Sequence, residues 1–322
     1  MEYAKKEAKA FARAKMHGLW GSISYPFRQD LDLDEKGLVS DLAHYVDTLK
    51  IDGFYMGGII NEFWALTVEE RMRAQELLIR EANHRVLTIT MTGHTCIRTA
   101  IELTRHAERV GADFVALMNP YYAARTPETI FEYFRAVARE VDAGILILNS
   151  PTAGYILSPQ QVAKLAEIDN ICAIKNDSNM EHTNEIRRLV GDQIVVSDPN
   201  EDNWLVNCSF HKQQVFLASP SPHLFQWKNQ LPIVAYTKAA MAGDLETAKR
   251  VSGGLEGLRR VARKWIWQPW ATGALPMARL KHWQKLLGLA GGHVRPPLLE
   301  MTEAEKRDLE KDLAAAGLPI RA

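Results

Sequence analysis

A lysine at the end of a short apolar run is the residue of this chain best suited to chemistry. Residues 171–174 are apolar, Lys175 follows directly, and Asn176, Asp177 and Ser178 end the run with turn-forming side chains. Such a run predicts a buried parallel strand, with the lysine stem in the core and its amine at the rim. Burial lowers the pKa of a lysine, and a neutral amine can form a Schiff base with a carbonyl. The alternative is a lysine that simply extends from a strand end into solvent.

The composition excludes several classes of protein. The 322 residues include 39 Lys and Arg against 39 Asp and Glu, so a general nucleic-acid-binding surface is not expected. No apolar run approaches the roughly 18 residues of a membrane span. Three scattered cysteines, Cys96, Cys172 and Cys208, predict no disulfide framework and favour a reducing cytoplasm. The histidines lack metal-ligand spacing and no glycine-rich phosphate loop follows a strand, so neither a metal nor a cofactor is predicted.

Short apolar runs alternate with helical patterns along the chain, which predicts eight strand–helix units. The predicted strands are residues 19–25, 54–56, 86–91, 114–118, 145–148, 171–174, 194–196 and 215–217. Helices are predicted at 34–49, 95–110 and 126–141, and starting at Thr67 and at Ser158. Strands this short and apolar do not suit a half-exposed sheet. The pattern therefore predicts an α/β fold, a (β/α)8 barrel with parallel strands.

The barrel is expected to span residues 18–230, between a helical arm at 1–17 and a carboxyl-terminal helical block at 231–322. Helices of the block are predicted at 232–252, 255–266, 275–287 and 300–315. Its tryptophans are expected to pack against the barrel or a neighbouring subunit; they are Trp265, Trp267, Trp270 and Trp283. Active sites of such barrels lie at the carboxyl ends of the strands, which is where Lys175 is predicted to sit.

A series of short, different motifs follows along the chain from about Gly18 to Leu299. They include Tyr25-Pro26-Phe27, Gly58 with Asn61-Glu62-Phe63, Leu66-Thr67-Val68-Glu69-Glu70-Arg71, Asn119-Pro120-Tyr121-Tyr122, Leu157-Ser158-Pro159, Ile174-Lys175 and Val294-Arg295-Pro296-Pro297-Leu298. Together they resemble the dihydrodipicolinate synthase / N-acetylneuraminate lyase superfamily of class I aldolases and dehydratases. The resemblance implies a (β/α)8 barrel, a Schiff-base lysine matching Lys175, and a homotetramer built from tight dimers.

Departures from the family pattern shape the expected site. Ile59 and Ile60 stand where family members carry two hydroxyl residues, and Leu148 stands at the family's acid/base tyrosine. The loop after it, residues 152–155, lacks the usual arginine. Isoleucine and leucine cannot hydrogen-bond a carboxylate or transfer a proton. An apolar mouth favours a bulky or aromatic substrate and lowers the pKa of the lysine further.

Other residues are then expected to transfer protons and to hydrogen-bond the substrate. Tyr155, on the loop after strand five, is the first candidate for a displaced acid/base; the alternative is a loop tyrosine packed on the rim. Tyr122 matches the family tyrosine that reaches a neighbouring subunit's site. Glu62, with Gly58 and Asn61, is expected to brace the loop after strand two. Further candidates for substrate binding are Tyr25, Asn119, Asn149, Asn176 and Ser219.

The leading hypothesis is a cofactor-independent Schiff-base lyase, an aldolase or hydratase-aldolase. Its substrate would be an oxo acid or related small carbonyl compound with a bulky or aromatic substituent. A second hypothesis is a dehydratase, deaminase or cyclase of small sugar-derived or proline-derived acids. A third, motivated by the missing tyrosine and hydroxyls, is a barrel that has lost catalysis and binds a ligand or partner.

Overall fold

The predicted barrel is confirmed by a computed structural model, which describes residues 2–122, 125–218 and 220–319. Its strands are β1 (Gly18–Gly21), β2 (Gly53–Met56), β3 (Leu87–Met91), β4 (Phe114–Met118), β5 (Gly144–Asn149), β6 (Ile171–Asn176), β7 (Val195–Ser197) and β8 (Val215–Leu217). All pairings are parallel, in the order β7-β6-β5-β4-β3-β2-β1-β8. The strands therefore form a nearly closed barrel.

A serine hydroxyl bridges the two strands at the ends of this order. Ser197 Oγ donates to the carbonyl of Val215 at 3.1 Å and accepts from the N–H of Leu217 at 3.1 Å. Gln213 Nε2 supports the same place by donating to the Val215 carbonyl at 2.9 Å. Side chains thus replace a backbone ladder between β7 and β8, next to the strand that carries Lys175.

Helices follow the strands as the sequence predicted. Those of the arm and barrel are α1 (Ala8–Lys15), α2 (Glu35–Asp47), α3 (Val68–Ala82), α4 (Ile97–Arg109), α5 (Pro127–Arg139), α6 (Pro159–Leu165), α7 (Met180–Val190), α8 (Glu201–Ser209) and α9 (Ser221–Leu224). Thr67, Thr126 and Ser158 cap α3, α5 and α6, since each hydroxyl accepts the N–H of the third helical residue. Within the described residues, no helix has the length and apolar character needed to cross a membrane.

Alternation along the strands divides the core into two layers. Ile145, Ile147 and Ile174 belong to the layer between strands and helices, whereas Leu146, Leu148 and Ala173 belong to the layer inside the barrel. Because neighbours along a strand point to opposite faces, Lys175 points to the same face as Ala173. Its side chain therefore enters the barrel interior.

The arm fills the amino-terminal end of the barrel. Ala8, Ala12 and Met16 are fully buried and join the interior layer. Tyr3 donates to the carbonyl of Asp113 at 2.5 Å and accepts the N–H of Gly144 at 2.8 Å, at the starts of β4 and β5. Its ring stacks on Phe11 at 4.4 Å. This end of the barrel is therefore packed with side chains, which leaves the opposite end for the site.

The carboxyl-terminal region is helical, as predicted, with more breaks. Its helices are α10 (Pro232–Met241), α11 (Leu245–Gly253), α12 (Glu256–Ala262), α13 (Gln268–Ala271), α14 (Met277–Leu286) and α15 (Glu303–Ala315). The single helix predicted at 232–252 is wrong, because Gly243 has φ +84° and Asp244 caps a new helix. The helix predicted at 255–266 is α-helical only as far as Ala262. A π-helical turn, Arg263–Trp267, follows it just before Pro269.

The first strand is also shorter than the predicted 19–25. The carbonyl of Ser22 accepts from the Tyr45 hydroxyl at 3.3 Å, and that of Ile23 accepts from Asn61 Nδ2. Side chains rather than a neighbouring strand thus satisfy the backbone beyond Gly21.

Candidate active site

Lys175 occupies the next-to-last position of β6, inside the mouth of the barrel. Its Cα partners on the neighbouring strands are Leu148 and Ser197. The residue is only 5% exposed. Burial lowers the pKa of the Lys175 amine to about 8, and the negative charge of Asp177 opposes this shift. A substantial fraction of this amine is therefore neutral at slightly alkaline pH, as a nucleophile requires.

The rate of Schiff-base formation is expected to follow this pKa. Since only the neutral amine attacks a carbonyl, the initial rate of borohydride trapping should rise as the pH passes through about 8, then level off. Measuring the adduct by mass spectrometry between pH 6 and pH 10 gives the midpoint. A midpoint above pH 10 would contradict the lowered pKa of Lys175.

Tyr55 faces Lys175 from the far side of the barrel. It lies on β2, four strands from β6 in the barrel order, and the Lys175 Nζ is 4.6 Å from the centroid of its ring. The tyrosine is 3% exposed, and its hydroxyl is buried without a hydrogen-bond partner among the described residues. Burial, followed by the charge of Asp177, raises the pKa of this phenol. Tyr55 was not among the residues predicted from the sequence, although strand alternation, with Phe54 and Met56 outward, indicates that its side chain is inward.

An apolar cavity of about 590 Å³ opens above the barrel interior. Its lining is mainly aliphatic and aromatic: Ile59, Phe63, Trp64, Met118, Tyr121, Pro151, Thr152, Trp270, Ala271, Gly273 and Leu275. Ile59 lies in this wall, and its contact with a substrate stays a prediction. Trp270 and Leu275 come from the carboxyl-terminal region, so that region covers one side of the mouth.

Ile59 and Ile60, neighbours in the loop after β2, pack in different parts of the core. Ile59 packs against the interior layer, whereas Ile60 is 4% exposed and packs in the cluster shared with the carboxyl-terminal helices. Asn61 Oδ1 accepts from Ser22 Oγ and from the N–H of Gly58, each at 2.9 Å. The loop is thereby tied to the end of β1, and its first isoleucine is the one that borders the cavity.

Glu62 anchors this loop to the carboxyl-terminal region. Its carboxylate lies 2.6 Å from Lys281 Nζ of α14, and both side chains are almost fully buried. Burial raises the pKa of Glu62 and lowers that of Lys281, while the charge of each partner opposes these shifts. Lys281 also donates to the carbonyl of His293 and lies over the ring of Phe27. Glu62 itself has φ 54°, a left-handed conformation.

Asn119, Asn149 and Asn176 form a hydrogen-bonded chain across the ends of β4, β5 and β6. Asn119 Nδ2 donates to Asn149 Oδ1 at 3.1 Å, and Asn149 Nδ2 donates to Asn176 Oδ1 at 2.8 Å. The chain continues outward, because Asn176 Nδ2 donates to Thr183 of α7 at 2.9 Å and Asn149 Oδ1 accepts the N–H of Leu157 at 2.9 Å. All three asparagines have no exposed surface. Their amides face the helices rather than the interior that holds Lys175.

The three predicted tyrosines occupy different environments. Tyr155 donates its hydroxyl to the carbonyl of Pro120 at 2.7 Å and packs in the layer between strands and helices. Tyr122 is 78% exposed. Tyr25 is buried among side chains shared with the carboxyl-terminal helices. Ser219, the remaining candidate, lies outside the described residues.

Arg71 is a buried cation beside the cavity wall. It is 6% exposed, its Nη2 donates to the carbonyls of Met91 and Gly93 at 3.1 Å, and its guanidinium lies 5.4 Å from the ring centroid of Phe63. Burial lowers the pKa of Arg71, and the tyrosines around it oppose this shift. In the described ranges no carboxylate lies within ion-pair distance of it. The same ranges contain no group of three or more side chains arranged to hold a metal ion.

The chain matches the profile of the Dihydrodipicolinate synthetase family over residues 15–316. A 4-hydroxy-tetrahydrodipicolinate synthase from Desulforudis audaxviator is 32% identical over 295 residues, covering 91% of this chain and 95% of the relative. The dihydrodipicolinate synthase from Aquifex aeolicus superimposes with a TM-score of 0.83 at 26% identity, covering 95% of this chain and all of that one. A prophage protein of the dihydrodipicolinic acid synthase family from E. coli, solved in complex with pyruvate, gives a TM-score of 0.80 at 25% identity, covering 94% of this chain and 99% of its own.

Proposed function

Since the chain belongs to the dihydrodipicolinate synthetase family of class I, lysine-dependent lyases, we propose that it is an aldolase or hydratase-aldolase acting on an aromatic or otherwise bulky oxo acid. The observation that carries this proposal is an apolar cavity whose wall includes Phe63 and Met118 of the barrel's interior layer, the layer that Lys175 enters with a lowered pKa. The prophage relative solved with pyruvate supports an oxo acid as the class of substrate.

Lys175 is proposed as the nucleophile. Its neutral amine adds to the substrate carbonyl, and loss of water leaves an iminium that accepts electrons from a neighbouring carbon–carbon bond. Leu148, the Cα partner of Lys175, packs in the barrel interior and keeps the surroundings of the amine apolar. The burial that lowers the pKa of Lys175 also keeps a fraction of its amine neutral, as this attack requires.

The cavity wall is proposed to select the substituent of the substrate. Rings of Phe63, Trp64, Tyr121 and Trp270 border a space of about 590 Å³, which suits an aromatic group better than a polyhydroxylated chain. Hydroxyl-rich substrates would leave their polar groups unpaired against Ile59 and Met118. This contrast is why we place the second hypothesis, an enzyme of small sugar-derived or proline-derived acids, below the first.

Arg71 is proposed as the source of positive charge for the substrate carboxylate. The family hydroxyls that Ile59 and Ile60 replace cannot serve here, whereas Arg71 is a buried guanidinium packed on a residue of the cavity wall. A buried cation without an anionic partner favours a bound anion. The acid is therefore proposed to orient its carboxylate toward the Phe63 side of the mouth.

The asparagine chain and Tyr155 are proposed to hold the strand ends in place rather than to contact substrate, because their side chains bond to one another, to the helices and to the carbonyl of Pro120. A barrel that has lost catalysis is disfavoured, because Lys175 lies inside the barrel beside Tyr55 rather than in solvent, and burial lowers its pKa. We further propose that exposed Tyr122 packs into a neighbouring subunit of a homotetramer.

Shortening Trp270 tests the choice of substrate. Trp270→Ala should raise the KM for an aromatic oxo acid about tenfold, since an aromatic contact contributes roughly 0.5–1.5 kcal/mol beyond its buried area. The KM for pyruvate-sized acids should change little. Trp267→Ala is the matched control, because that ring lies 6.0 Å from Trp270 yet does not line the cavity.

Borohydride trapping with a panel of aromatic and aliphatic oxo acids identifies the nucleophile directly. We expect a reduced adduct at Lys175, formed fastest with aromatic members. Absence of an adduct at Lys175 with every acid in the panel would overturn the proposed function. Equal effects of Trp270→Ala on aromatic and small acids would overturn the proposed substrate class alone.

A further inference from the structure

Three other tyrosine hydroxyls in the structure have hydrogen-bond partners of a kind that the Tyr55 hydroxyl lacks. Tyr45 hydrogen-bonds His223 at 2.5 Å, Tyr133 donates to the carbonyl of His94 at 3.2 Å, and Tyr236 donates to Glu201 at 2.7 Å. The Tyr55 hydroxyl is buried but has no such partner among the described residues. An unsatisfied buried hydroxyl is costly, and such a group in a native structure calls for an explanation.

The surroundings of this hydroxyl leave room for a ligand atom. A Cβ built on Gly58 would lie 3.5 Å from the Tyr55 oxygen and 3.5 Å from its Cε1, so the glycine leaves the space beside the phenol open. The Lys175 Nζ lies over the same ring, 4.6 Å from its centroid. A carbonyl carbon bonded to this amine would carry its oxygen into the part of the interior that the phenol borders.

We propose that Tyr55 is a catalytic acid/base of this enzyme, contributed by β2, in place of the hydroxyl that Leu148 on β5 cannot supply. This inference rests on the proposed function, because it assumes a substrate joined to Lys175. Leu148 occupies the strand next to Lys175, so a phenol that replaces its chemistry must approach from elsewhere in the barrel. Tyr55 approaches from the opposite strand and enters the same interior layer.

The proton balance of the reaction assigns two tasks to the phenol. The neutral amine of Lys175 adds to the carbonyl carbon: the nitrogen–carbon bond forms, the carbon–oxygen π bond breaks, and a proton moves from the nitrogen to the oxygen to give a carbinolamine. Tyr55 gives its proton to the carbinolamine hydroxyl, which leaves as water while the nitrogen electron pair forms the iminium. The phenolate then accepts the proton of the substrate's β-hydroxyl. That carbon–oxygen bond becomes a carbonyl, the carbon–carbon bond breaks, and its electron pair moves into the iminium to give an enamine.

Charge explains why a phenol with a raised pKa can act here. Burial disfavours the phenolate while the site is empty. Once the substrate is bound, a protonated iminium replaces the amine beside the ring, and an opposite charge a few ångströms away stabilises the phenolate. The acid is thus weak before Lys175 reacts and becomes stronger at the step that needs it.

Tyr55→Phe removes only the hydroxyl and keeps the ring beside Lys175. We expect kcat for the aromatic substrate identified by trapping to fall about 10²–10⁴-fold, the range for a lost acid/base, with a smaller change in KM. The borohydride adduct at Lys175 should still form on long incubation. The melting temperature should stay the same or rise, because a buried hydroxyl without a partner has been removed. A merely structural tyrosine would instead lose stability and activity together.

Other outcomes separate this inference from the proposed function. Wild-type protein that never forms an adduct at Lys175 overturns both. An adduct in the wild type, together with a Tyr55→Phe kcat within threefold of the wild-type value, overturns this inference alone. Loss of turnover in Tyr155→Phe but not in Tyr55→Phe assigns the acid/base to the loop after β5 and also overturns this inference.

A second variant, 3-fluorotyrosine at position 55, keeps the ring and the hydroxyl. It should shift the alkaline limb of the pH–kcat profile to lower pH, and an unmoved limb would count against Tyr55.

Discussion

Replacing Lys175 with methionine is expected to abolish turnover and, at the same time, to make the folded protein more stable. The nucleophile of a covalent mechanism has no substitute, so kcat should fall on the order of 10⁴-fold or below detection. Methionine preserves the unbranched apolar stem that fills the barrel interior, so the fold should be retained. Steady-state assays and borohydride trapping measure the loss, and circular dichroism checks the fold.

The gain in stability follows from the pKa of Lys175. A shift from 10.5 to about 8 corresponds to a cost of about 3 kcal/mol for burying the charged form. Below pH 8 both the folded and the unfolded chain carry the charged lysine, so the folded state bears the whole cost. The cost declines as the pH rises from 8 to 10.5, because the folded state is then deprotonated and the unfolded state is not. Lys175→Met should therefore stabilise most at neutral pH and little above pH 10.5.

Urea unfolding at pH 7 and pH 10.5 measures this pattern. Lys175→Arg is the charged comparison, which should also lose the adduct but gain no stability. A methionine variant that is less stable than the wild type at pH 7 would contradict the cost assigned to the buried amine.

Replacing the other buried lysine should have the opposite effect on stability. Lys281→Met leaves Glu62 buried without its 2.6 Å partner, and breaking a buried ion pair on one side costs about 3–5 kcal/mol. The loop after β2, which carries Ile59 into the cavity wall, should loosen with it. Urea unfolding should show the loss of stability, and the KM for aromatic acids should rise.

The double variant Glu62→Gln/Lys281→Met distinguishes loss of the pair from loss of packing. It removes both charges, so most of the stability lost in the single variant should return. The deficit of Lys281→Met should also shrink as the pH falls, because burial raises the pKa of Glu62 and the protonated acid is neutral. A single variant within about 1 kcal/mol of the wild type would show that the pair contributes little.

The sequence predicted the fold well because the barrel is specified locally and repeatedly. Runs such as residues 114–118 and 215–217 match β4 and β8, since strands buried on both faces are continuous apolar segments. Caps at Thr67 and Thr126 follow from hydroxyls that satisfy the first N–H groups of a helix. The position of Lys175 follows from the same reasoning, because active sites of these barrels lie where the strands end.

The surroundings of Lys175 were harder to predict, because they depend on contacts distant in sequence. The asparagines at the strand ends suggested polar groups for a substrate, yet their amides bond to one another and to the helices. Tyr55 meets Lys175 only because the barrel closes, and Trp270 reaches the mouth from a region far along the chain. Strand alternation, applied to every strand end, would have found Tyr55; no comparable local pattern indicates Trp270.

The arm packed into the amino-terminal end of the barrel affects the order in which products leave in the proposed reaction. With Ala8, Ala12 and Met16 filling that end, substrate and products share the route past Trp64 and Trp270. In the proposed reaction the fragment joined to Lys175 is expected to lie deepest, and the fragment set free by carbon–carbon cleavage is expected nearer the mouth. Release is then sequential by geometry: the carbonyl product departs first, and the lysine-bound fragment is hydrolysed and leaves last.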